Sequence, residues 1–404
     1  MHMSSIKKTG HLPTLIACFL HFDLSFMLWV MLGALGIFIA ESVGLTPVQK
    51  GLVVAVPLLS GSLLRVPAGM LSDRFGAKRI GIALLTLLYI PLLVGWSAGD
   101  SLPSLLVMGL LLGTAGASFA VALPLASRWY PAEKQGLAMG VAAAGNSGTV
   151  ITNLVAPALA AAIGWRNVFA VALIPLSLVL IAFILLAKES PREPSEEGAR
   201  ARSLGFRDLL NAMAQRDLWS FCLFYSVTFG GYVGLTSFLP LLLRDQYGMA
   251  ALTAGHVTAL VALAGSVSRP FGGYVADRLG GVRVLMLALG GISIVYATMS
   301  RLPPPFVTIP VLFLGMCCLG LGNGAVFQLV PQRFQREIGT ATGVIGAVGG
   351  LGGFFLPTLL GAARQAAGSY APAFVVLATV AGCAALSLRH TAKTHRKAVA
   401  YTHQ

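Results

Sequence analysis

The sequence predicts an all-α membrane protein with twelve transmembrane helices in two pseudo-symmetric six-helix halves. Three observations predict it. Of 404 residues, 56% are hydrophobic and only 10% are charged, with a mean hydropathy of +0.81. About a quarter of a soluble domain is charged. Apolar runs long enough to cross a ~30 Å hydrocarbon layer recur along the chain, and its second half repeats its first.

The runs fall at about 14–40, 49–71, 80–98, 102–124, 136–163 and 167–187, then at 217–243, 252–276, 284–300, 306–330, 338–362 and 371–389. The first, Leu15 to Ala40, is too long for a signal-peptide core and lacks a clear small-residue cleavage site, so it reads as a retained span. An even number of spans puts both termini on one side. The predicted organisation is an N-terminal cytoplasmic tail (1–13), a six-helix bundle (14–187), a cytoplasmic linker (188–216), a second bundle (217–389) and a basic cytoplasmic tail (390–404). The linker begins rich in Pro, Glu, Ser and Arg, and from Ser203 it has the makings of a short amphipathic surface helix.

The net charge of +14 would suit nucleic acid or anionic lipid. The distribution of the cations decides. With cytoplasmic termini, only Lys50, Arg166, Arg244, Arg301 and Arg364 fall on outer segments, Arg65 and Arg269 lie within spans, and all the others are inside. That is the positive-inside pattern of a protein in the inner (plasma) membrane, and it requires no nucleic-acid partner. Cys18, Cys222, Cys317, Cys318 and Cys383 sit in apolar runs without metal-ligand spacing and read as small packing residues. No nucleotide-binding glycine loop, metal cluster or nucleophile–base pair stands out. The expectation is no enzyme, no metal and no cofactor.

The repeat is explicit. "RVPAGMLSDRFGAKR" from Arg65 is echoed by "RPFGGYVADRLGGVR" from Arg269, "GTAGASFAVALP" (113–124) by "GLGNGAVFQLVP" (320–331), and "GLAMG" (136–140) by "GTATG" (339–343). Three matches at nearly one offset mean two halves in parallel orientation. The chain here resembles the major facilitator superfamily, from about residue 14 to 390. The superfamily's loop signature stands as Gly69, Leu71, Asp73, Arg74, Gly76, Lys78 and Arg79, with a degenerate second copy at Gly273, Asp277, Arg278, Gly280 and Arg283. The resemblance implies that these charges latch helix ends and help gate alternating access.

Arg65 lies eight residues before Asp73, ~12 Å into the hydrocarbon, and Arg269 stands equally far before Asp277. An intramembrane arginine costs ~2.5–3.5 kcal/mol even on insertion scales. Two at equivalent positions should face each other across the interface between the halves. The one acid well inside a span is Asp23, and one carboxylate cannot neutralise two guanidiniums. The cavity is therefore about one anion short, and the rigid fork of arginine favours a planar, oxygen-bearing anion. Asn146 in the fifth span, Phe119 in the fourth, and Tyr225 and Phe229 in the seventh reach the same depth. They describe a tight, mostly apolar slot, suited to a small, weakly hydrated anion. The fifth and eleventh spans are rich in glycine, including Gly140, Gly145 and Gly148 in one and Gly343, Gly349 and Gly350 in the other. Such surfaces allow close packing and also sliding beside a substrate.

Within the superfamily these details resemble the nitrate/nitrite porters, whose two glycine-rich signatures look like "GNSGTVITNLVAP" and "GVIGAVGGLGGFFLP". The resemblance implies a nitrate site between the halves, nitrate and nitrite as substrates, and substrate-contacting roles for Arg65, Arg269, Asn146, Tyr225, Phe229 and Phe119. The transporter is expected to work as a monomer. In the first span, His21 and Asp23 are two residues apart, ~200° around a helix, so both cannot face the cavity. Asp23 could carry a proton, cap a polar network or pair with Arg65. Nitrate/nitrite exchange and proton-coupled nitrate uptake both remain open. The alternatives are a carrier of the same fold for another small anion or an organic solute, and a membrane sensor.

Overall fold

In hydrocarbon a backbone must satisfy its own hydrogen bonds, and among the described residues every regular element is a helix. The structure, a computed structural model, describes residues 10–189, 213–334 and 338–401. Most of the expected linker, including the amphipathic segment after Ser203, and most of the N-terminal tail lie outside the described residues.

Among the described residues, twelve helices are long and apolar enough to span a bilayer. In the first half these are α1 (Leu12–Trp29), α2 (Pro47–Phe75), α3 (Ala77–Ala98), α4 (Leu102–Ser127), α5 (Ala138–Ile163) and α6 (Trp165–Leu186). In the second they are α7 (Arg216–Tyr247), α8 (Ala251–Leu279), α9 (Gly281–Met299), α10 (Pro305–Val330), α11 (Ala341–Ala367) and α12 (Ala371–Arg389). The chain is a multi-pass membrane protein. Its first apolar run is not one helix, because breaks at Val30 and Leu35 separate α1 from two short helical pieces, Met31–Ala34 and Gly36–Val43.

Local chemistry sets the boundaries. Thr46 and Gln49 form a reciprocal capping box at the start of α2, followed by Pro47 in the first turn. The signature loops turn at Gly76 (φ 98°) and Gly280 (φ 91°), equivalent positions that only glycine adopts without strain. Between the halves, α2 packs along α11 and α5 along α8. The repeat makes α2 the counterpart of α8 and α5 that of α11, so these two seams are one contact used twice.

Cys18 and Cys222 are buried, whereas Cys317 and Cys318 are half-buried and Cys383 is exposed.

Candidate functional site between the two halves

The irregular turns of the helices lead to the site. A 3₁₀ segment, Gly113–Ser118, runs directly into Phe119 on α4. A second, Ala144–Ser147, holds Asn146 on α5, and a π-helical turn, Ser226–Gly230, follows Tyr225 and contains Phe229 on α7. Non-helical backbone at membrane depth is tolerated where it lines a cavity, and π turns cluster at functional positions. Three separate helices loosen beside the same spot.

That spot holds the arginine pair. Arg65 is 3% exposed. Its Nε donates to the Gly116 carbonyl at 3.0 Å and its Nη1 to the Gly346 carbonyl at 2.6 Å, tying it to both halves. Its guanidinium carbon lies 5.2 Å from the Trp29 ring centroid and 5.0 Å from those of Phe119 and Phe229. Arg269 is half-buried, 6.0 Å from the same Phe229 ring, and its Nη2 makes one long bond of 3.5 Å to the Tyr225 hydroxyl. Tyr225 and Phe229 stack 5.0 Å apart at 5°. Phe229 therefore serves as a floor shared by both cations.

Neither cation is saturated. Arg65 Nη2 and Arg269 Nη1 are buried without a hydrogen-bond partner, and so is Oδ1 of Asn146, itself 2% exposed. A buried donor left unmatched costs ~1–3 kcal/mol, and more when charged. No ion pair joins Asp23 to either arginine. Its Oδ1 accepts from Ser147 Oγ at 2.6 Å, on α5. His21 turns the other way, its ring 4.8 Å from Phe183 and its Nε2 3.2 Å from the Gly81 carbonyl. The ~200° separation is thus realised, and Asp23 stands beside Asn146's helix instead of neutralising Arg65.

The glycines divide. A methyl group on Gly145 would come 2.7 Å from the Asp23 nitrogen, and Gly148 presses on the same stretch of α1. Gly349 abuts the Tyr225 ring and Gly350 abuts Ser62, whereas Gly140 and Gly343 face open space. In the signature loop, Asp73 accepts from Arg128 at 2.7 Å, a bond from α2 to the residue that follows α4 within one half. Gly69 lies near Ala120, Arg74 covers the Phe75 ring, and Arg278 covers the Tyr274 ring at 4.4 Å, next to exposed Asp277. Among the described residues, two ion pairs cross between the halves at the opposite end. There Lys50 reaches both carboxylate oxygens of Asp245 at 2.9 Å, Arg244 reaches Glu41 at 2.9 Å, and the Tyr370 hydroxyl donates to Asp245 at 3.1 Å. Burial and the neighbouring Asp245 charge push the Tyr370 phenol far above its ordinary value, so it stays a donor. The halves are clasped at the end away from the signature loops.

Sequence reasoning missed several residues here. Trp29 covers Arg65. Phe327 on α10 packs edge-on against Tyr225 at 4.9 Å and 6.1 Å from Phe119; the repeat pointed to it, since Phe327 nearly matches Phe119. A hydroxyl chain also crosses between the halves: Tyr232 on α7 meets Ser266 on α8 at 2.7 Å and Thr149 on α5 at 2.9 Å, and Thr149 donates to the Asn146 carbonyl at 2.8 Å.

Two repeated helical halves, each bringing one arginine to the Phe229 ring, define the class: a membrane carrier built of two six-helix halves. The sequence profile of the Major Facilitator Superfamily matches residues 17–357. Among curated relatives, a "Nitrite extrusion protein" of Bacillus subtilis is 36% identical, the alignment covering 88% of each chain. A "Probable nitrate/nitrite antiporter NarK1" of Thermus thermophilus is 33% identical over 95% of this chain and 92% of its own. A "Probable nitrate transporter NarT" of Staphylococcus epidermidis is 32% identical over 92% and 94%. The fold is similar to the crystal structure of a bacterial homolog of the human lysosomal transporter Spinster, with a TM-score of 0.72, 19% identity, and coverage of 98% of this chain and 99% of that one. The chain belongs to the major facilitator superfamily and, within it, to the nitrate/nitrite porter family.

Proposed function

We propose that this chain carries nitrate, nitrite or both across the membrane by alternating access. The anion lies between Arg65 and Arg269, with Asn146 hydrogen-bonding it and Phe119, Tyr225 and Phe229 excluding water. One observation carries the reading: two guanidiniums, one buried and one half-buried, share the Phe229 ring, and each has a buried nitrogen without an acceptor. An oxyanion satisfies both donors and offsets their mutual repulsion. Its low charge density suits a slot with few other donors better than phosphate or sulfate, which need many hydrogen bonds to leave water. The relatives' names agree with this substrate class.

The protein sits in the inner (plasma) membrane with both termini cytoplasmic, which turns the signature loops inward and the Lys50–Asp245 clasp outward. One chain supplies both halves of the site, so the functional unit is a monomer. The linker between the bundles occupies 188–216. The basic mode is exchange, in which the returning anion neutralises the arginines. Proton coupling through Asp23 is the second reading, favoured by that carboxylate's bond to Ser147 on the helix of Asn146.

Reconstituted vesicles separate these modes. Nitrate uptake is measured with internal nitrite, with a pH gradient, and with neither. Uptake that needs internal nitrite identifies exchange. Accumulation driven by pH alone, and lost in Asp23→Asn, identifies proton coupling. A protein that moves neither anion under any condition overturns the substrate assignment.

A further inference from the structure

Around the arginines the two halves repeat in space in a register of their own. Gly116 on α4 abuts the Gly61 backbone, and Gly320 on α10 abuts that of Gly265. A methyl group on Gly69 would meet Ala120, and one on Gly273 would meet Gly324. In this register Phe119, between Gly116 and Ala120, has Asn323 as its counterpart, between Gly320 and Gly324. The echo in the sequence runs about one helical turn out of step with it. Trp29 presses on Gly61 and Tyr232 on Gly265, so these two rings also correspond. Arg65 has Trp29 and Phe119 over it, and at the matching places around Arg269 stand a phenol and an amide.

The neighbours of Asn323 fix its level. Gly324 abuts the Arg269 backbone carbonyl, and Gly322 abuts Thr228, which precedes Phe229 in the π turn. One turn further along the same face, Phe327 packs on Tyr225, the hydroxyl partner of Arg269. Asn323 itself is 1% exposed, and its Oδ1 meets no donor. An asparagine that merely joined helices in a membrane would bond across to one of them, and burial without a partner is costly. Arg269 Nη1 is an orphan of the opposite kind, a donor without an acceptor. A primary amide offers one end to each need. Given an oxyanion between the arginines, which is the function proposed for this chain, we infer that Asn323 is a further anion-binding residue: its Nδ2 donates to the oxyanion while its Oδ1 accepts from Arg269. The slot then takes one arginine and one amide from each half, Arg65 with Asn146 and Arg269 with Asn323.

The test titrates the purified full-length protein with nitrate and with nitrite. Asn323→Leu keeps the size of the side chain and removes both polar ends, so anion affinity should fall about 10- to 100-fold, the range of a hydrogen bond to a charged group. Asn323→Asp keeps the acceptor for Arg269 but turns a negative charge toward the anion, and should weaken binding at least as much. A purely structural asparagine would lose affinity independently of the arginines. Combining Asn323→Leu with Arg269→Lys should therefore cost less than the product of the two single losses, whereas its combination with Arg65→Lys should come closer to that product. Wild-type affinity in Asn323→Leu, or losses that multiply fully with Arg269→Lys, overturn the inference while leaving the anion site standing. Should the leucine variant not fold, wild-type affinity in Asn323→Asp overturns it equally. A wild type that binds neither anion overturns the substrate assignment, and this inference with it.

Discussion

Arg65 and Arg269 occupy the same place in the two halves, yet their surroundings have diverged. Arg65 is held by two carbonyls and three aromatic rings and is almost inaccessible. Arg269 is half-buried, with one ring and one long bond to Tyr225. The repeat preserved the charge and its depth, while packing made one arginine a fixed anchor and the other an adjustable arm. On the proposed reading, the rigid donor fixes the anion and the looser one follows it as the halves rock.

The largest expected effect tests that asymmetry directly. Arg65→Lys should lower nitrate transport about 100-fold, since an ammonium cannot keep both carbonyl bonds and still grip an oxyanion. Arg269→Lys should cost only about 10-fold, because it gives up a single long bond. Initial uptake rates in vesicles, normalised to folded protein, check both, and equal losses would erase the distinction.

The shared floor comes next. Phe229→Leu keeps the apolar volume and removes a ring under both cations, so nitrate affinity should fall about 5- to 10-fold, within the ~0.5–2 kcal/mol of a cation–π contact. Trp29→Leu, which touches Arg65 alone, should fall less. Binding titrations that rank the two the other way would place the anion nearer Trp29.

A second contrast lies between the ends of the molecule. Lys50→Gln removes the clasp to Asp245, whose partners are 18% and 16% exposed. It should shift the balance between open states about 2- to 5-fold, the range of partly exposed ion pairs. A Ser266→Cys reporter in a background without the native cysteines should then react faster with an impermeant thiol reagent from the clasp side. Smallest is Tyr232→Phe, which breaks the hydroxyl chain to Thr149; at ~0.6 kcal/mol per hydrogen bond in a membrane, exchange should change about 2- to 3-fold.

The legible parts of the sequence were those with a one-dimensional signal. Twelve spans follow from apolar length, the halves from the repeat, and the arginines from a charge where none belongs. The glycines at the turns, Gly76 and Gly280, also announced themselves. What stayed hidden depends on which way a helix faces. Trp29 lies in an apolar run among many aromatics, and nothing in its spacing separates a ring over a guanidinium from a ring in the core; Phe327, packed on Tyr225 and Phe119, is hinted at only by its near match to Phe119 in the repeat. The Thr149–Tyr232–Ser266 chain joins three helices from both halves, so no local pattern encodes it. The same is true of the breaks: the π turn at Ser226–Gly230 keeps a sequence a regular helix would also accept. For Asp23 the sequence left pairing with Arg65 open, and only the packing of α1 against α5 turned it to Ser147.

Whether both arginines hold the same anion is tested by a double-mutant cycle on nitrate binding. Purified wild type, Arg65→Lys, Arg269→Lys and the double variant are titrated with nitrate. If both guanidiniums grip one ion, the wild type binds one nitrate per chain. The double variant then loses less than the combined single losses, with a coupling of about 0.5–3 kcal/mol. Two nitrates per chain, or losses that simply add, would mean that the arginines act on separate ions and would contradict the account.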